Sequence, residues 1–132
     1  MNLEALCTAW APRLLSILRI MTGLLLLEHG LGKIFKFPTV PAFAKIDLGS
    51  MVGISGFLEL IAGVLLVVGL FSRAAAFILS GMCAIGYFIA HAPRAFYPIL
   101  NNGDAIILFS FVLLYIAAAG PGPWSIDAAR KK

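Results

Sequence analysis

Charged side chains are scarce in this chain. They make up 12% of its 132 residues, whereas hydrophobic residues make up 61% and the mean hydropathy is +1.01. A soluble domain carries about 25% charged residues because its surface must meet water. The scarcity of charge therefore excludes a water-soluble globular fold, and the high apolar content excludes intrinsic disorder. The class that remains is an integral membrane protein.

Cysteines and cofactor-binding motifs are also scarce. The chain has two cysteines, Cys7 and Cys83, and no C-x-x-C pair, which argues against a thioredoxin-like or quinone-coupled dithiol. No pattern typical of haem, flavin or iron–sulfur binding is present, so no intrinsic cofactor is expected. The net charge of +4 comes from scattered residues rather than a clustered basic face, which argues against nucleic-acid binding.

Four apolar runs dominate the sequence, at 14–35, 51–71, 74–91 and 103–119. The first two suit helices that cross a hydrocarbon core of about 30 Å, and the last two are slightly short. None of them shows the alternation of a β-barrel strand. The sequence predicts an all-α fold, a transmembrane four-helix bundle with short loops, as a single domain over residues 1–132.

The connections between the runs differ in character. Prolines and phenylalanines between the first two runs suit a short interfacial helix. Ser72 is expected to cap the third helix at its N-terminus, and Asn102 is expected to cap the fourth. Cys7 and Cys83 fall at different depths, so we expect no disulfide between them.

An even number of spans places both termini on one side of the membrane, called the terminal side below. Basic residues at the ends of the spans or beyond them number five on that side and four, with Lys33 included, on the opposite side. This bias favours termini in the cytoplasm. The sequence therefore predicts a multi-pass protein of the bacterial cytoplasmic (inner) membrane with both termini cytoplasmic.

Ionisable residues within spans mark the expected functional site, because a charge at the centre of a membrane helix costs about 2.5–3.5 kcal/mol. Most of them fall past the middle of the first run, near the middle of the second, or where the third run ends and the fourth begins. Antiparallel spans bring these positions to the half of the bilayer away from the termini. The sequence predicts a polar intramembrane pocket there, with these candidate ligand-binding residues: Glu59, His29, His91, Lys33, Glu28, Asn102 and Asp104.

Structural alternatives exist for most of these residues. The charge of Asp104 can interact favourably with the dipole of the fourth helix, and residues at span ends can anchor at lipid headgroups. Arg19 is expected to snorkel, that is, to extend its guanidinium towards the nearer membrane surface. Glu59 is the hardest to explain in this way, because no snorkelling reaches water from the middle of a span. It requires a proton, a wet cavity or a partner such as His29.

Helical periodicity assigns an inward face to each run. Glu28 fits none of these faces, so it points to lipid or a partner subunit unless the glycines that follow distort the helix. The predicted inward faces are Arg19, Thr22, Gly23, Leu26, His29, Gly30 and Lys33 on the first run, Gly56, Glu59 and Gly63 on the second, Gly81, Ala84, Phe88 and His91 on the third, and Asp104, Leu108, Phe111 and Tyr115 on the fourth.

Several motifs occur together in a recognisable order. The first run carries R…HGLGK with Arg19, His29 and Lys33, the second carries GFLELIAGVLLVVGLFSR with Glu59, and the C-terminal part reads GPGPWSID. In this order the sequence resembles the DoxX family of small four-span membrane proteins, from about Arg19 to Asp127. Asp104 departs from the family, which more often has Glu there, and its shorter side chain retracts the carboxylate from any shared site.

The resemblance implies a redox- or oxidative-stress-associated membrane protein. The family takes its name from a membrane subunit of a thiosulfate:quinone oxidoreductase, and some relatives act as assembly factors. By this resemblance, the chain is expected to correspond to the membrane core without an extra soluble domain. It is therefore expected to be a subunit or partner of an oxidoreductase rather than a self-sufficient enzyme.

Three functions remain open. The first is a redox-associated subunit that binds a quinone or another apolar ligand, with Glu59 and the histidines supplying protons and Lys33 giving electrostatic support. The second is a non-enzymatic scaffold or assembly partner of another membrane or redox protein. The third is a transporter or metal-handling protein, ranked last because no close His/Cys/Met spacing indicates a metal site. The expected partners are the lipid bilayer, a redox protein subunit and a second copy of the chain.

Overall fold

Six helices and no strands make up the computed structural model, which describes residues 1–132. The predicted all-α fold is therefore confirmed. Helix α3 continues into a π-helical turn at Tyr87–His91, and a 3-10 turn occupies Pro41–Phe43. The helices are α1 (Leu3–Ile34), α2 (Met51–Val68), α3 (Ser72–Gly86), α4 (Pro98–Asn101), α5 (Asp104–Ala119) and α6 (Ile126–Arg130).

Helix α1 begins well before the predicted start at residue 14. The side chain of Asn2 caps it by accepting the backbone N–H of Ala5 at 2.8 Å, and Glu4 lies in the first turn, where a negative charge is favourable. The 32 residues of α1 span about 48 Å, more than the hydrocarbon core. Its first turns, exposed throughout residues 3–14, therefore project beyond the bundle on the terminal side.

Three helices are long and apolar enough to cross a membrane: α1, α2, and α3 together with its π turn. The fourth apolar run forms α5, whose 16 residues span about 24 Å. The interfacial helix expected between α1 and α2 is reduced to the turn at Pro41–Phe43, which is only three residues long.

Glycines bring α1 and α2 into backbone contact. A Cβ on Gly30 would lie 2.8 Å from the nitrogen of Leu60, and a Cβ on Gly23 would lie 3.0 Å from the carbonyl oxygen of Gly63. Small residues allow this close approach in membrane helices. The predicted inward faces of α1 and α2 are buried, apart from the half-buried His29, so this prediction is confirmed.

Helices α3 and α5 form the second close pair, and here the predicted faces are wrong. The hydroxyls of Ser80 and Ser110 each donate to the other residue's carbonyl, at 2.7 and 3.0 Å. Gly81 instead has open space beside it, and Phe111 is 67% exposed. The apolar core at the centre of the four long helices consists of Leu26, Ala62, Leu66, Ala75, Ala76, Leu79, Cys83, Leu113 and Ile116.

Both cysteines are free, as predicted. Cys7 is exposed on the projecting part of α1, whereas Cys83 is buried in the core.

Candidate functional site

A buried ion pair joins α1 to α2. The Nζ atom of Lys33 lies 2.9 Å from Oε1 of Glu59 and also donates to the hydroxyl of Ser55 at 3.0 Å. Glu59 is 4% exposed and Lys33 is 9% exposed. Of the explanations that the sequence left open for Glu59, the structure shows a partner, and that partner is the ammonium of Lys33 rather than His29.

One oxygen of this pair has no hydrogen-bond partner. Oε2 of Glu59 is buried and accepts no hydrogen bond. A buried acceptor left unsatisfied costs about 1–3 kcal/mol, so such atoms mark places where a proton, a water or a ligand group is to be expected. The Lys33–Glu59 pair, which has such an atom on a buried carboxylate, is therefore a candidate site within the bundle.

His29 lies one helical turn before Lys33. Its Nδ1 atom is 2.7 Å from the carbonyl oxygen of Leu25, and its ring meets the ring of Phe109 on α5 edge-on at 6.3 Å. Because a carbonyl can only accept, Nδ1 carries the proton, and a neutral ring then has a lone pair on Nε2. His29 thus offers a base between α1 and α5.

His91 belongs to a second polar cluster, at the end of the π turn. Its ring stacks on Tyr87 at 6.2 Å, and its Nδ1 donates to the carbonyl oxygen of Asn101 at 2.9 Å. The fully buried Asn101 donates to the hydroxyl of Tyr87 at 3.1 Å and to the carbonyl oxygen of Ala95 at 2.9 Å. Gly103 makes room for this cluster, since a Cβ there would lie 2.5 Å from the Tyr87 ring.

Tyr87, Asn101 and Ser55 were not among the predicted site residues. Ser55 could have been found, because it precedes Glu59 by four positions and so lies on the same face of α2. Tyr87 likewise precedes His91 by four positions, but the π turn that stacks the two rings has no signature in the sequence.

Three of the predicted site residues are not brought into either cluster. Glu28, Asn102 and Asp104 are exposed, and their side chains make no hydrogen bond within the chain. Glu28 lies within the continuous helix α1 and is exposed, so it faces away from the bundle. Asp104 is in the first turn of α5, where its charge suits the helix dipole.

Asn102 does not cap α5, contrary to the prediction. It adopts the left-handed conformation with φ of 58° and ends α4, and Gly103 stands before α5 instead. Asparagine tolerates this conformation better than most residues, which suits it to the tight turn between α4 and α5.

Arg19 is not the snorkelling residue that the sequence suggested. It is fully buried and donates to the carbonyl oxygens of Leu66 and Trp124, each at 2.8 Å, and to that of Pro121. The chain after α5 folds back over the bundle and brings the carbonyls of Pro121 and Trp124 to the guanidinium. Arg19 thereby ties α1 to α2 and to the C-terminal segment.

Asp127 caps α3 from a distance, so the prediction that Ser72 is the cap is wrong. Its carboxylate accepts the backbone N–H of Phe71 at 2.9 Å and of Ser72 at 2.8 Å. Burial alone would raise the pKa of Asp127, but the hydrogen bonds from Ser72 and Phe71, with the nearby charge of Arg130, leave the pKa below its ordinary value.

Two open surface hollows lie at the terminal side. One, of about 470 Å³, is beside Asp127, and the other, of about 480 Å³, is beside the first turns of α1. Neither hollow is lined by Glu59, Lys33 or His29. The polar pocket predicted around these three residues stays a prediction.

The apolar helices and the buried ion pair between two of them define a small helical integral membrane protein. Its sequence matches the DoxX family over residues 14–92. A protein of Haemophilus influenzae whose function is uncharacterised is 34% identical over 122 residues, which cover 89% of this chain and 91% of that protein. No solved structure matches. The chain belongs to the DoxX family, as the resemblance implied, and the matched region contains the Lys33–Glu59 pair.

Proposed function

We propose that this DoxX protein is a redox-associated membrane subunit that binds a quinone at the Lys33–Glu59 pair. The observation that carries the proposal is the buried, unpartnered Oε2 of Glu59 beside a lysine ammonium. A quinone headgroup has carbonyl oxygens that accept from an ammonium, and its quinol form has hydroxyls that donate to a carboxylate oxygen.

Proton exchange with a quinone at the Lys33–Glu59 pair would use Glu59, His29 and Lys33. Reduction of a quinone to a quinol takes up two electrons and two protons, and oxidation releases them. When a quinol is oxidised, Glu59 through Oε2 and His29 through Nε2 accept its two protons, and Lys33 donates to a carbonyl oxygen of the quinone that forms. The electrons pass to or from the redox centre of a partner oxidoreductase, so the chain acts as a subunit. His91 belongs to the separate cluster with Tyr87 and Asn101, so it takes no part in this exchange.

The proposal includes a location. With both termini in the cytoplasm, as the distribution of basic residues favours, the protein lies in the bacterial inner membrane and the Lys33–Glu59 pair lies in the outer half of that bilayer. A quinone diffusing in the membrane would reach the pair laterally between α1 and its neighbours.

A scaffold or assembly partner is the second candidate. It is favoured by Glu28, an exposed carboxylate on a helix face that otherwise meets lipid. A charge in that position is costly unless another protein supplies a donor or a cation. In this alternative, the Lys33–Glu59 pair only holds α1 and α2 together.

Ligand binding separates the two candidates. Detergent-purified protein is titrated with decylubiquinone and with a short-chain menaquinone while its thermal unfolding is followed. We expect one of them to raise the unfolding temperature of the wild type, and Glu59→Gln to weaken that binding at least tenfold. Asp104→Asn, which removes an exposed carboxylate from α5, serves as the control and should bind as the wild type does.

If Glu59→Gln does not fold, the double variant Lys33→Met/Glu59→Leu replaces it, because it removes the whole pair without leaving a lone buried charge. It should fold and bind neither quinone. The proposal is wrong if the wild type binds neither quinone, or if a folded variant lacking the carboxylate binds as tightly as the wild type. Either result would leave the scaffold as the preferred function.

A further inference from the structure

A basic hollow lies where α3 begins and α6 packs against it on the terminal side. It has a volume of about 470 Å³, and its lining includes Phe71, Arg73, Ala74, Asp127, Arg130 and Lys131. We propose that this basic hollow binds the phosphodiester headgroup of an anionic phospholipid. The inference concerns the end of the molecule away from the Lys33–Glu59 pair and does not depend on the proposed quinone site.

The charges around the basic hollow suit a single anion. Arg73, Arg130 and Lys131 supply three positive charges and Asp127 supplies one negative charge, whose two oxygens already accept the N–H groups of Phe71 and Ser72. The lining therefore has a surplus of positive charge, and both oxygens of its one carboxylate already accept backbone hydrogen bonds. A phosphodiester, with one negative charge and two exposed oxygens, is the lipid group that matches such donors.

Most of the donors in the basic hollow are unused within the chain. Arg130 rests on the ring of Phe71 at 5.3 Å, and neither Arg130 nor Lys131 donates a side-chain hydrogen bond to the protein. Arg73 binds the carbonyls of Ala117 and Ala118 through one terminal nitrogen, so its other nitrogens remain free to donate. Flexible cations left without partners are available to a ligand.

The surroundings favour a lipid over a free phosphate. Ala74 lies in the basic hollow, and Phe77 and Ile78 follow it at three and four positions along α3, on the same face. Their side chains are 64% and 51% exposed, so they form an uncovered apolar strip running from the hollow into the membrane. A headgroup in the hollow would place its acyl chains along this strip, which a soluble phosphate would not use.

Adjacent lysines provide a matched test. Lys131 lines the basic hollow and Lys132 does not, so Lys131→Gln and Lys132→Gln change the net charge equally. Arg130→Gln and Arg13→Gln form a second such pair, since both arginines lie on the terminal side. Each protein is purified in a neutral detergent, and its binding of short-chain phosphatidylglycerol, phosphatidylcholine and glycerol 3-phosphate is measured by thermal unfolding and native mass spectrometry.

We expect phosphatidylglycerol to bind the wild type and to stabilise it, and phosphatidylcholine and glycerol 3-phosphate to have little effect. Lys131→Gln and Arg130→Gln should each weaken phosphatidylglycerol binding at least fivefold, and Lys132→Gln and Arg13→Gln less than twofold. Equal losses within each pair would show a general effect of charge and overturn the proposal. Binding of glycerol 3-phosphate as tight as that of the lipid would overturn it in favour of a free-phosphate site, and equal binding of phosphatidylcholine would also overturn it.

Discussion

Replacing Arg19 by methionine tests how the C-terminal segment is held. Methionine fills a similar length without charge, so the three donated hydrogen bonds to Leu66, Pro121 and Trp124 are lost while the buried volume is largely kept. Hydrogen bonds from a charged donor contribute about 1.5–3 kcal/mol each to the stability of the fold. Methionine avoids the desolvation cost of a buried cation, which offsets several kcal/mol of this loss. The net loss of stability is expected to be about 2–4 kcal/mol.

Two measurements follow this change in the detergent-solubilised protein. The midpoint of thermal unfolding should fall by about 10 °C, from the usual relation between free energy and melting temperature for chains of this size. Hydrogen exchange should become faster in residues 121–132, where the N–H of Trp124 bonds to Ser16 and the N–H of Asp127 bonds to the carbonyl of Gly69.

Arg13→Met is the control. Arg13 is exposed and donates only to the carbonyl of Ala9 within its own helix, so its loss should change stability by less than about 0.5 kcal/mol. If Arg19→Met unfolds at the wild-type temperature and leaves exchange in residues 121–132 unchanged, Arg19 does not hold this segment. The same conclusion would follow if Arg13→Met were equally harmful.

Three further predictions concern the ion pair, the remote cap and the topology. Lys33→Met leaves a lone buried charge, so it should lower the free energy of unfolding in detergent by about 3–5 kcal/mol. The double variant Lys33→Met/Glu59→Leu should stay within about 2 kcal/mol of the wild type. A double variant less stable than the single variant would contradict this prediction. The interactions that lower the pKa of Asp127 stabilise the fold when the pH is above the ordinary pKa of this side chain, 3.8. This stabilisation is lost as the pH falls through the lower pKa of the folded state. The advantage of the wild type over Asp127→Asn in unfolding temperature should therefore disappear in acid, and parallel pH profiles would refute this. Alkaline phosphatase should be inactive when fused after Lys132 and active after Lys45, and the reverse result would invert the orientation.

Much of the architecture could be predicted because it depends on local properties of the chain. Scarce charge and long apolar runs determine a helical membrane protein, since a backbone in hydrocarbon must satisfy its own hydrogen bonds. The inward faces of α1 and α2 also followed from the sequence, because their glycines recur at helical spacing beside Arg19 and Glu59. Antiparallel order alone placed Lys33 and Glu59 in the same half of the bilayer.

The faces of α3 and α5 could not be predicted in the same way. Both helices carry small or polar residues on more than one face, so Gly81 and Asp104 did not mark the contact. The contact is made by Leu79, Leu113 and the Ser80–Ser110 pair, whose fit depends on the register between two helices.

Tertiary structure alone decided which polar groups meet. His29 and Lys33 share a face of α1, and only the register of α2 shows that Lys33 is the residue bound to Glu59, at 2.9 Å. Asp127 reaches the start of α3 from 55 residues away, and Arg19 reaches Trp124 from 105 residues away. Periodicity specifies the direction in which a side chain leaves its own helix. The partner that this side chain meets depends on how distant helices are rotated and shifted against its helix and on where the chain folds back, and the packing of the whole chain determines these.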